Sequence, residues 1–395
     1  MNRGSEWRKW DLHIHTPGTA KNDQYGNSDD VWEKYIDALE KSDVKVFGIT
    51  DYFSMDNYYK VLQFQAEGRL DGKTLLPNIE MRITPVTKSG TAINIHAIFD
   101  PTLTKDEIER EFFSSLKMKS GDETYSCTRP QLLSFGRKLA NDNSYPEKAA
   151  IKKAIGEFIV PFEELHDILS KKFFDNRVIV ALSGKSQDGL SGLLNTDCNT
   201  HTLRKQIGRM ADVILSSNAK DIAYFLGESK DTKETVIATY RSLKPCIIGS
   251  DAHSLDKVGV FPNDRITWIK ADPTFEGLKQ ILFEPKERVR ISDTMPDFKY
   301  DYNIIDHVVL NTAGVWNQTI PFNQNLNTII GGRSTGKSTL LASVAAKFQE
   351  IKNVENYDFI KGLSDNVHVF WRDGQEADNR EIEYFTQNEI ANIIL

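Results

Sequence analysis

The sequence contains little cysteine, and this scarcity excludes two common ways of stabilising a chain. Its three cysteines, Cys127, Cys198 and Cys246, lie far apart and form no C-x-x-C pair. Disulfide frameworks and zinc ribbons need more cysteines or closer spacing. We therefore expect the three thiols to behave as buried, small apolar side chains.

Long hydrophobic runs are also absent. No uninterrupted apolar stretch reaches the roughly 18 residues that suggest a transmembrane helix. The N-terminal segment MNRGSEWRKW lacks the apolar core of a signal peptide. The sequence therefore predicts a cytoplasmic protein with no membrane partner.

An excess of positive charge is missing as well. The formal net charge is −7, and the 395 residues are 39% hydrophobic and 27% charged, as in an ordinary globular protein of one or two domains. Such a charge argues against a protein that coats nucleic acid through bulk positive charge. It does not exclude a nuclease, because carboxylates that surround metal ions add to the formal negative count.

Residues 1–291 alternate apolar, strand-like runs with helix-like segments. This alternation predicts an α/β fold built on a sheet or barrel. Residues 29–42 have helical periodicity, and residues 44–50 follow as a buried strand. Residues 75–86 and 91–99 flank a short turn and predict a β-hairpin.

The remaining segments complete the predicted domain organisation. Residues 102–175 are charged and mostly helical, and we interpret them as an insertion or cap over the sheet. Strands and helices alternate again up to about residue 284. The polar, proline-containing residues 292–300 are the predicted linker, and residues 301–395 are the second domain.

The stretch KWDLHIHT places two histidines near the end of the first predicted strand. His13 and His15 lie two residues apart, so a strand directs both imidazoles to one side. Two convergent imidazoles suggest a metal site. Two histidines on a solvated strand edge are the alternative.

Further acidic and imidazole side chains adjoin apolar runs later in the sequence. They are Asp51, Glu80, His96, Asp251 and His253, the last two in an i, i+2 pair within GSDAHS. Singly, each has an ordinary explanation as a helix cap, a surface residue or a core histidine. Jointly they favour a metal cluster, because unpaired charges beside buried strands are costly.

The order of these motifs resembles that of the polymerase and histidinol phosphatase (PHP) family. The resemblance implies a distorted β/α barrel whose strand ends hold two or three divalent ions, and it implies metal-dependent phosphoester hydrolysis. It implies the metal ligands His13, His15, Asp51, Glu80, His96, Asp251 and His253. Within this set, His13, His15, Glu80, Asp251 and His253 are the implied catalytic residues, with Glu80 as the bridging carboxylate.

Two positions depart from the family pattern. Tyr52 follows Asp51 where the family usually has histidine, and Ser183 begins a stretch, SGKS, without the expected later histidine. Two ions are therefore better supported than three, with His201 and Asp23 as weak alternatives for a vacant position. Mixed imidazole and carboxylate ligands suit Zn, Mn or Fe.

Three basic residues are candidate phosphate clamps near these motifs. They are Lys185, Arg204 and Lys205, and a cationic side chain can bind phosphate oxygens directly. A solvated protein face is the favoured explanation for each of them.

The second domain carries a phosphate-loop motif. The stretch NTIIGGRSTGKSTLL predicts a buried strand, a loop with the G-x-x-x-x-G-K-S pattern and a helix, the context of a site for ATP with Mg²⁺. The predicted nucleotide-binding residues are Gly331, Gly332, Arg333, Ser334, Thr335, Gly336, Lys337, Ser338 and Thr339, together with Gln387.

Gln387 follows the predicted strand of EIEYF and resembles the Q-loop glutamine of ABC-type and SMC-type ATPases. VHVFW is a further predicted strand of this lobe. No apolar strand ending in an acidic pair follows Ser338, so this second domain corresponds to the N-terminal lobe of such an ATPase. We expect a longer form of the chain, or a second polypeptide, to supply the other half.

The succession of the two domains resembles TrlF-like proteins, in which a PHP domain precedes an SMC-type ATPase. The resemblance implies a nuclease governed by ATP binding, a nucleic acid substrate, pairing of two ATPase heads into a homo-oligomer, and a role in antiviral defence. The same metal chemistry also serves a small-molecule phosphatase. A degraded metal site within an ATP-dependent assembly scaffold is the third alternative.

Overall fold

The computed structural model describes residues 3–193, 198–351, 357–376, 379–386 and 389. The chain divides into two compact units, Trp7–Pro296 and a smaller one formed by Met1–Glu6 with Asp297–Leu395. The division at residues 296 and 297 falls within the predicted linker. Residues 1–6 group with the smaller unit, although the sequence suggested that the first domain starts at residue 1.

The larger unit is built on a nine-stranded sheet with the order β11-β10-β1-β2-β3-β4-β7-β8-β9. Neighbouring strands from β1 to β3 and from β7 to β9 are parallel, whereas β4 is antiparallel to both of its neighbours. The strands of this unit are β1 (Glu6–His15), β2 (Val46–Tyr52), β3 (Thr74–Val86), β4 (Ala92–Phe99), β5 (Lys117–Ser120), β6 (Glu123–Ser126), β7 (Val178–Ser183), β8 (Val213–Leu215), β9 (Cys246–Ile247), β10 (Ile266–Ala271) and β11 (Val289–Ser292).

Helices connect and cover these strands, which makes the unit a mixed α/β fold. They are α1 (Val31–Lys41), α2 (Asp56–Ala66), α3 (Lys105–Ile108), α4 (Arg129–Ala140), α5 (Glu147–Glu157), α6 (Phe162–Leu169), α7 (Cys198–Met210), α8 (Ala219–Phe225), α9 (Lys233–Tyr240), α10 (Phe275–Gln280) and α11 (Pro285–Arg288). Helices α3 to α6 and the β5-β6 hairpin fill the segment between β4 and β7, which the sequence predicted as a mostly helical insertion.

The local patterns explain these elements. Helix α1 buries Val31, Tyr35, Ile36 and Leu39, whose spacing places them on one helical face. All seven residues of β2 are buried, as expected for a strand with neighbours on both sides and helices over the sheet. Cys127 and Cys246 are buried free thiols, as predicted.

The segment that follows β9 nearly closes the sheet into a barrel. The Asp251 N–H donates a hydrogen bond to the His13 carbonyl over 2.9 Å, and the His15 N–H donates to the Ala252 carbonyl over 3.1 Å. The segment follows β9, which is at one edge of the sheet, and β1 is the third strand from the other edge. These bonds therefore connect the two sides of the sheet. The end of β1 therefore lies directly beside the end of β9.

In its described residues, the smaller unit contains an antiparallel three-stranded sheet in the order β13-β12-β14 and the two α-helices named below. Its elements are β12 (Ile305–Thr312), β13 (Trp316–Pro321), β14 (Val367–Trp371), α12 (Lys337–Ala345) and α13 (Tyr357–Ser364). Arg3 ties the N-terminal residues to this unit, because its guanidinium lies 2.6 Å from the Asp306 carboxylate. The strand predicted from VHVFW is confirmed as β14.

Two other strand predictions in this unit are wrong. Residues 327–330 are irregular, and Ile330 is 86% exposed rather than buried. Residues 381–386 also lack strand structure. In the described part of the chain, neither segment has a neighbouring strand with which to form a ladder, and strands without partners are not stable.

Within the described residues, no helix combines the length and the apolar character needed to cross a membrane.

Gly48 is required where β2 passes β1. A Cβ at this position would lie 2.3 Å from the Leu12 carbonyl oxygen, which is backbone and cannot easily move. We expect Gly48→Ala to lower the free energy of unfolding by about 1–3 kcal/mol. Gly156→Ala on helix α5 is the control, because a Cβ there meets nothing within 4 Å, and it should be neutral or stabilising by up to about 1 kcal/mol. Urea unfolding followed by circular dichroism tests both, and equal stability of the two variants would contradict the expectation.

Candidate metal centre

The end of β1, the middle of β3 and the segment after β9 bring imidazole and carboxylate groups together. The Nε2 atom of His13 lies 3.2 Å from His15 Nε2, 3.2 Å from Glu80 Oε2 and 3.2 Å from Asp251 Oδ1. His15 Nε2 lies 3.2 Å from Glu80 Oε2 and 3.6 Å from Asp251 Oδ1. Four predicted ligands therefore face one another.

These side chains form two groups with the composition of a metal site. The first is His13, His15 and Asp251, and the second is His13, Glu80 and His96. Within each group the donor atoms lie within 4.8 Å of one another. His13 belongs to both groups, so the two candidate cation positions are next to each other.

Strand geometry explains why the first and second motifs converge. His13 and His15 alternate along β1 and therefore share a side of the strand, as the sequence predicted. Glu80 of β3 and His96 of β4 are directly paired in the antiparallel register, and the side chains of such a pair lie on the same face. The hairpin therefore places the Glu80 carboxylate and the His96 imidazole side by side.

The turn that carries Asp251 approaches β1 closely. A Cβ at Gly249 would lie 2.6 Å from the Cβ of His13, so only glycine fits there. Asp251 itself has a left-handed backbone conformation with φ of 52°, which aspartate tolerates better than most residues. This turn directs the Asp251 carboxylate back toward His13 and His15.

Asp11 is a residue that the sequence analysis missed. It is fully buried, and its Oδ1 accepts a hydrogen bond from the Ser250 N–H over 2.9 Å. Burial raises the pKa of Asp11 to about 6, although hydrogen bonds from Ser250 and His13 oppose the rise. Asp11 precedes His13 by two residues, the same spacing that separates His13 from His15. This spacing in the sequence could have identified Asp11 as a residue near the site.

Neighbouring polar side chains hold two of the ligands in place. Glu80 Oε1 accepts hydrogen bonds from Arg82 Nη1 and Asn94 Nδ2, both over 2.9 Å, which leaves Oε2 facing the histidines. Asn78 Oδ1 lies 3.2 Å from His96 Nδ1. A bond of this kind fixes the ring so that Nε2 is the ligating atom.

The donor set fits a divalent cation. His96 Nε2 is buried and has no hydrogen-bond partner among the described residues, and such an orphaned nitrogen is costly unless something binds it. Ligand atoms around a tetrahedral ion at about 2.1 Å lie about 3.4 Å apart. The separations of 3.2 to 3.6 Å at His13 and His15 agree with that spacing. Nitrogen and carboxylate donors together suit Zn, Mn or Fe.

The electrostatics of the cluster keep its carboxylates ionised. Burial opposes the charge on Glu80, yet hydrogen bonds from His13 and His15 hold the pKa of Glu80 well below its usual range. Burial also opposes a charge on His15, but its bonds to Asp251 and Glu80 prevail and raise the pKa of His15 to about 9. Burial and the nearby His13 lower the pKa of His96. The cluster is thus anionic at its carboxylates, as a cation site requires.

Asp51, a predicted ligand, lies apart from both groups. Its carboxylate accepts hydrogen bonds from the Tyr52 N–H and from Asn57 Nδ2, each over 3.0 Å. It lines a separate cavity of about 530 Å³, whereas Tyr52 lines the cleft beside the cluster. Strand alternation is the reason, since the pairing of Tyr52 with Glu80 turns Asp51 to the other side.

The other predicted ligands differ in their positions. His253 belongs to neither group, but its Nε2 lies 3.5 Å from Asp251 Oδ1 and its ring stacks on His15 with centroids 4.1 Å apart. Asp23 binds the N–H groups of Gly18 and Tyr25 within its own turn. His201 is exposed on α7 and is in neither ligand group.

The cluster opens into a cleft of about 660 Å³. Its walls include His13, Tyr52, Glu80, Arg82, Asn94, Ser183, Lys185, Asp251 and His253. Lys185, a predicted phosphate clamp, is therefore in the cleft, whereas Arg204 and Lys205 are not among its lining residues. The volume exceeds that of a single phosphate group and is in the range of small-molecule sites.

The G-x-x-x-x-G-K-S segment of the smaller unit forms a loop that leads into helix α12. The Lys337 ammonium donates hydrogen bonds to the carbonyls of Gly331 and Gly332 over 3.0 and 2.6 Å, so it folds back across the loop. Ser334 and Gly336 have positive φ angles of 63° and 86°. Gly331, Gly332, Arg333, Ser334, Thr335 and Ser338 are exposed. Gln387 lies outside the described residues.

Comparisons with known proteins add little. No model of a known protein family matches the chain, and no curated protein does. The crystal structure of PsfC from Pseudomonas syringae PB-5123 is similar over 69% of this chain and 88% of its own, with 14% identity and a TM-score of 0.35. The lesion-specific endonuclease PfuEndoQ from Pyrococcus furiosus is similar over 91% of this chain and 72% of its own, with 11% identity and a TM-score of 0.40. Both TM-scores are too low to support a functional conclusion.

The shared position of His13 gives a differential test of metal binding. We expect His13→Ala to lose at least one ion, because this ring is a donor in both candidate groups although its nitrogen can bind only one ion at a time. Asp251→Ala and His96→Ala should each lose mainly the ion of their own group. Elemental analysis of purified protein measures the change, with His166→Ala on α6 as the control. Equal metal content in wild type and His13→Ala would contradict the assignment.

Proposed function

We propose that the larger unit is a metal-dependent phosphoesterase of the PHP type and that its substrate is nucleic acid. The observation that carries this proposal is the convergence of His13, His15, Glu80, His96 and Asp251 at the wall of an open cleft. These five side chains have donor atoms close enough together to bind the same cations. A metal site explains their convergence better than a purely structural role does. Hydrolysis of a phosphoester is the chemistry that such a pair of sites serves.

Each part of the cluster has a chemical task. Bound divalent ions would supply a hydroxide nucleophile at neutral pH and neutralise charge on the phosphoryl oxygens. His13 is a member of both ligand groups and therefore keeps them adjacent. Glu80 is fixed through Oε1 by Arg82 and Asn94, so that Oε2 is presented in one orientation. His253 stacks on His15 and limits its rotation.

The choice of a nucleic acid substrate rests on two arguments. The cleft is larger than a phosphate group needs, so it has room for the parts of a substrate that flank the scissile bond. The order of the motifs and the succession of the two domains resemble TrlF-like proteins. DNA and RNA satisfy these arguments equally.

The second domain belongs to the same proposal. The exposed loop residues 331–335, followed by the N-terminus of helix α12, suit the phosphates of ATP. Lys337 then binds the terminal phosphates, and Ser338 the Mg²⁺ ion. We propose that ATP binding here regulates the nuclease, that a second ATPase half and a second copy of the head complete the assembly, and that the whole acts in antiviral defence.

Cleavage assays test the nuclease proposal. Metal-loaded protein should cut DNA or RNA, and Glu80→Gln should lower the rate about 100-fold or more because a ligating carboxylate loses its charge. The exposed Glu276→Gln is the matched control. If the protein cuts neither DNA nor RNA, the nuclease proposal is wrong. Rapid turnover of a simple phosphomonoester without diester cleavage would instead identify a small-molecule phosphatase.

A separate measurement tests nucleotide binding. We expect Lys337→Ala to weaken the binding of a fluorescent ATP analogue with Mg²⁺ by about tenfold or more, because a charge-assisted contact with the phosphates is lost. Lys361→Ala on helix α13 of the same unit is the control, since Lys361 is exposed. If Lys337→Ala binds the analogue as tightly as wild type, the loop does not bind phosphate as proposed.

A further inference from the structure

Tyr52 occupies an unusual position beside the ligand cluster. Its ring stacks on His15 with centroids 4.8 Å apart and an interplanar angle of 17°. It lines the same cleft as His13, Glu80 and Asp251. Tyr52 therefore stands within reach of whatever binds at the cluster.

The Tyr52 hydroxyl makes no hydrogen bond with any residue that the structure describes, although only 6% of the residue is exposed. The hydroxyl oxygen is not among the enclosed side-chain atoms that lack a partner, so it faces the open cleft that Tyr52 lines. A protonated tyrosine hydroxyl can donate a hydrogen bond. An acceptor from outside the protein is the natural partner.

Lys21 lies against the same tyrosine. Its Nζ atom is 5.5 Å from the centroid of the Tyr52 ring. The side chain is half-buried, and within the described part of the chain it pairs with no carboxylate. A cation that has lost part of its hydration without gaining an anionic partner is costly. Like the hydroxyl, Lys21 lacks an acceptor.

Arg82 lines the cleft together with Tyr52 and adds a second positive charge near Lys21, which is not itself among the lining residues. Its Nη1 atom binds Glu80 Oε1 over 2.9 Å, which uses only part of the five N–H donors of a guanidinium. Burial and the charge of Arg82 lower the pKa of Lys21, although the charges of Glu80 and Glu157 oppose this fall, so the two cations repel each other. An anion between or beside them would relieve that repulsion.

We propose that Lys21, Tyr52 and Arg82 form an anion subsite that binds the non-bridging oxygens of a phosphate group next to the candidate metal ligands. The subsite deepens the proposed function and rests on it, since it assigns residues to the substrate phosphate. Tyr52 stands where the sequence analysis expected a histidine ligand. A hydroxyl and two cations there bind phosphate oxygens directly rather than through a further ion.

The test uses inorganic phosphate as the probe and the full chain loaded with metal. Isothermal titration calorimetry measures phosphate affinity for wild type, Tyr52→Phe and Lys21→Gln. Arg82 is left unchanged because its contact with Glu80 links it to the ligand cluster. Metal content is measured on every preparation, so a loss of phosphate binding is not confused with a loss of metal.

The chain offers matched controls for both substitutions. Tyr35→Phe removes another tyrosine hydroxyl, from a fully buried residue of the core whose hydroxyl also has no partner among the described residues. Lys60→Gln removes another lysine that rests on an aromatic ring, with Nζ 4.0 Å from the Trp32 centroid. Tyr35 packs against Tyr25 and Trp32, and Lys60 lies over Trp32 rather than Tyr52, so neither belongs to the proposed subsite and both variants should bind phosphate like wild type.

We expect phosphate affinity to fall about tenfold in Lys21→Gln and about fivefold in Tyr52→Phe, at unchanged metal content. For an oligonucleotide that the enzyme cleaves, KM should rise more than kcat falls, as for a binding contact. Phosphate affinity within twofold of wild type in both variants would overturn the subsite. A loss of metal in Tyr52→Phe would overturn it too, because the hydroxyl would then act on the ligands.

The two proposals fail separately. If wild type cuts no nucleic acid but Lys21→Gln and Tyr52→Phe lose phosphate affinity, the subsite stands and the nuclease proposal is wrong. If wild type cuts nucleic acid and both variants keep phosphate affinity and KM, the nuclease proposal stands and the subsite is wrong.

Discussion

The close contact between β1 and the turn after β9 is the constraint on which the candidate site depends. Backbone hydrogen bonds join His13 to Asp251 and His15 to Ala252. Gly249 permits the approach, because any Cβ there would overlap the side chain of His13. Through this contact the first and last motifs of the larger unit meet at one point.

The second requirement is compensation of buried charge. Glu80 is almost fully buried, and ionised carboxylates are stable in such a place only when paired and hydrogen-bonded. Arg82 and Asn94 satisfy one of its oxygens and the histidines face the other. The same contacts therefore determine the packing, the charge compensation and the orientation of Glu80. A substitution of Arg82, Asn94 or one of the histidines alters all three.

Much of this arrangement could be predicted from the sequence, because strand alternation is visible in it. The i, i+2 spacing of His13 and His15 predicted their convergence, and the predicted hairpin contained both Glu80 and His96. The position of Asp51 could not be predicted, because the register of β2 decides whether Asp51 or Tyr52 faces the cleft. Asp11 was missed because its partner, Ser250, is distant in sequence. The strand expected at residues 327–330 depended on neighbouring strands that local pattern does not reveal.

The long connection between the two halves of the site has a kinetic consequence. Asp11 and Ser250, which bond across the closing contact, are separated by 239 positions in the chain. Contacts between such distant segments form late and slow folding, since the entropy of closing a long loop must be overcome first. The ligand cluster therefore comes into existence only as the sheet closes, and uptake of metal would report the last step of folding rather than an early one.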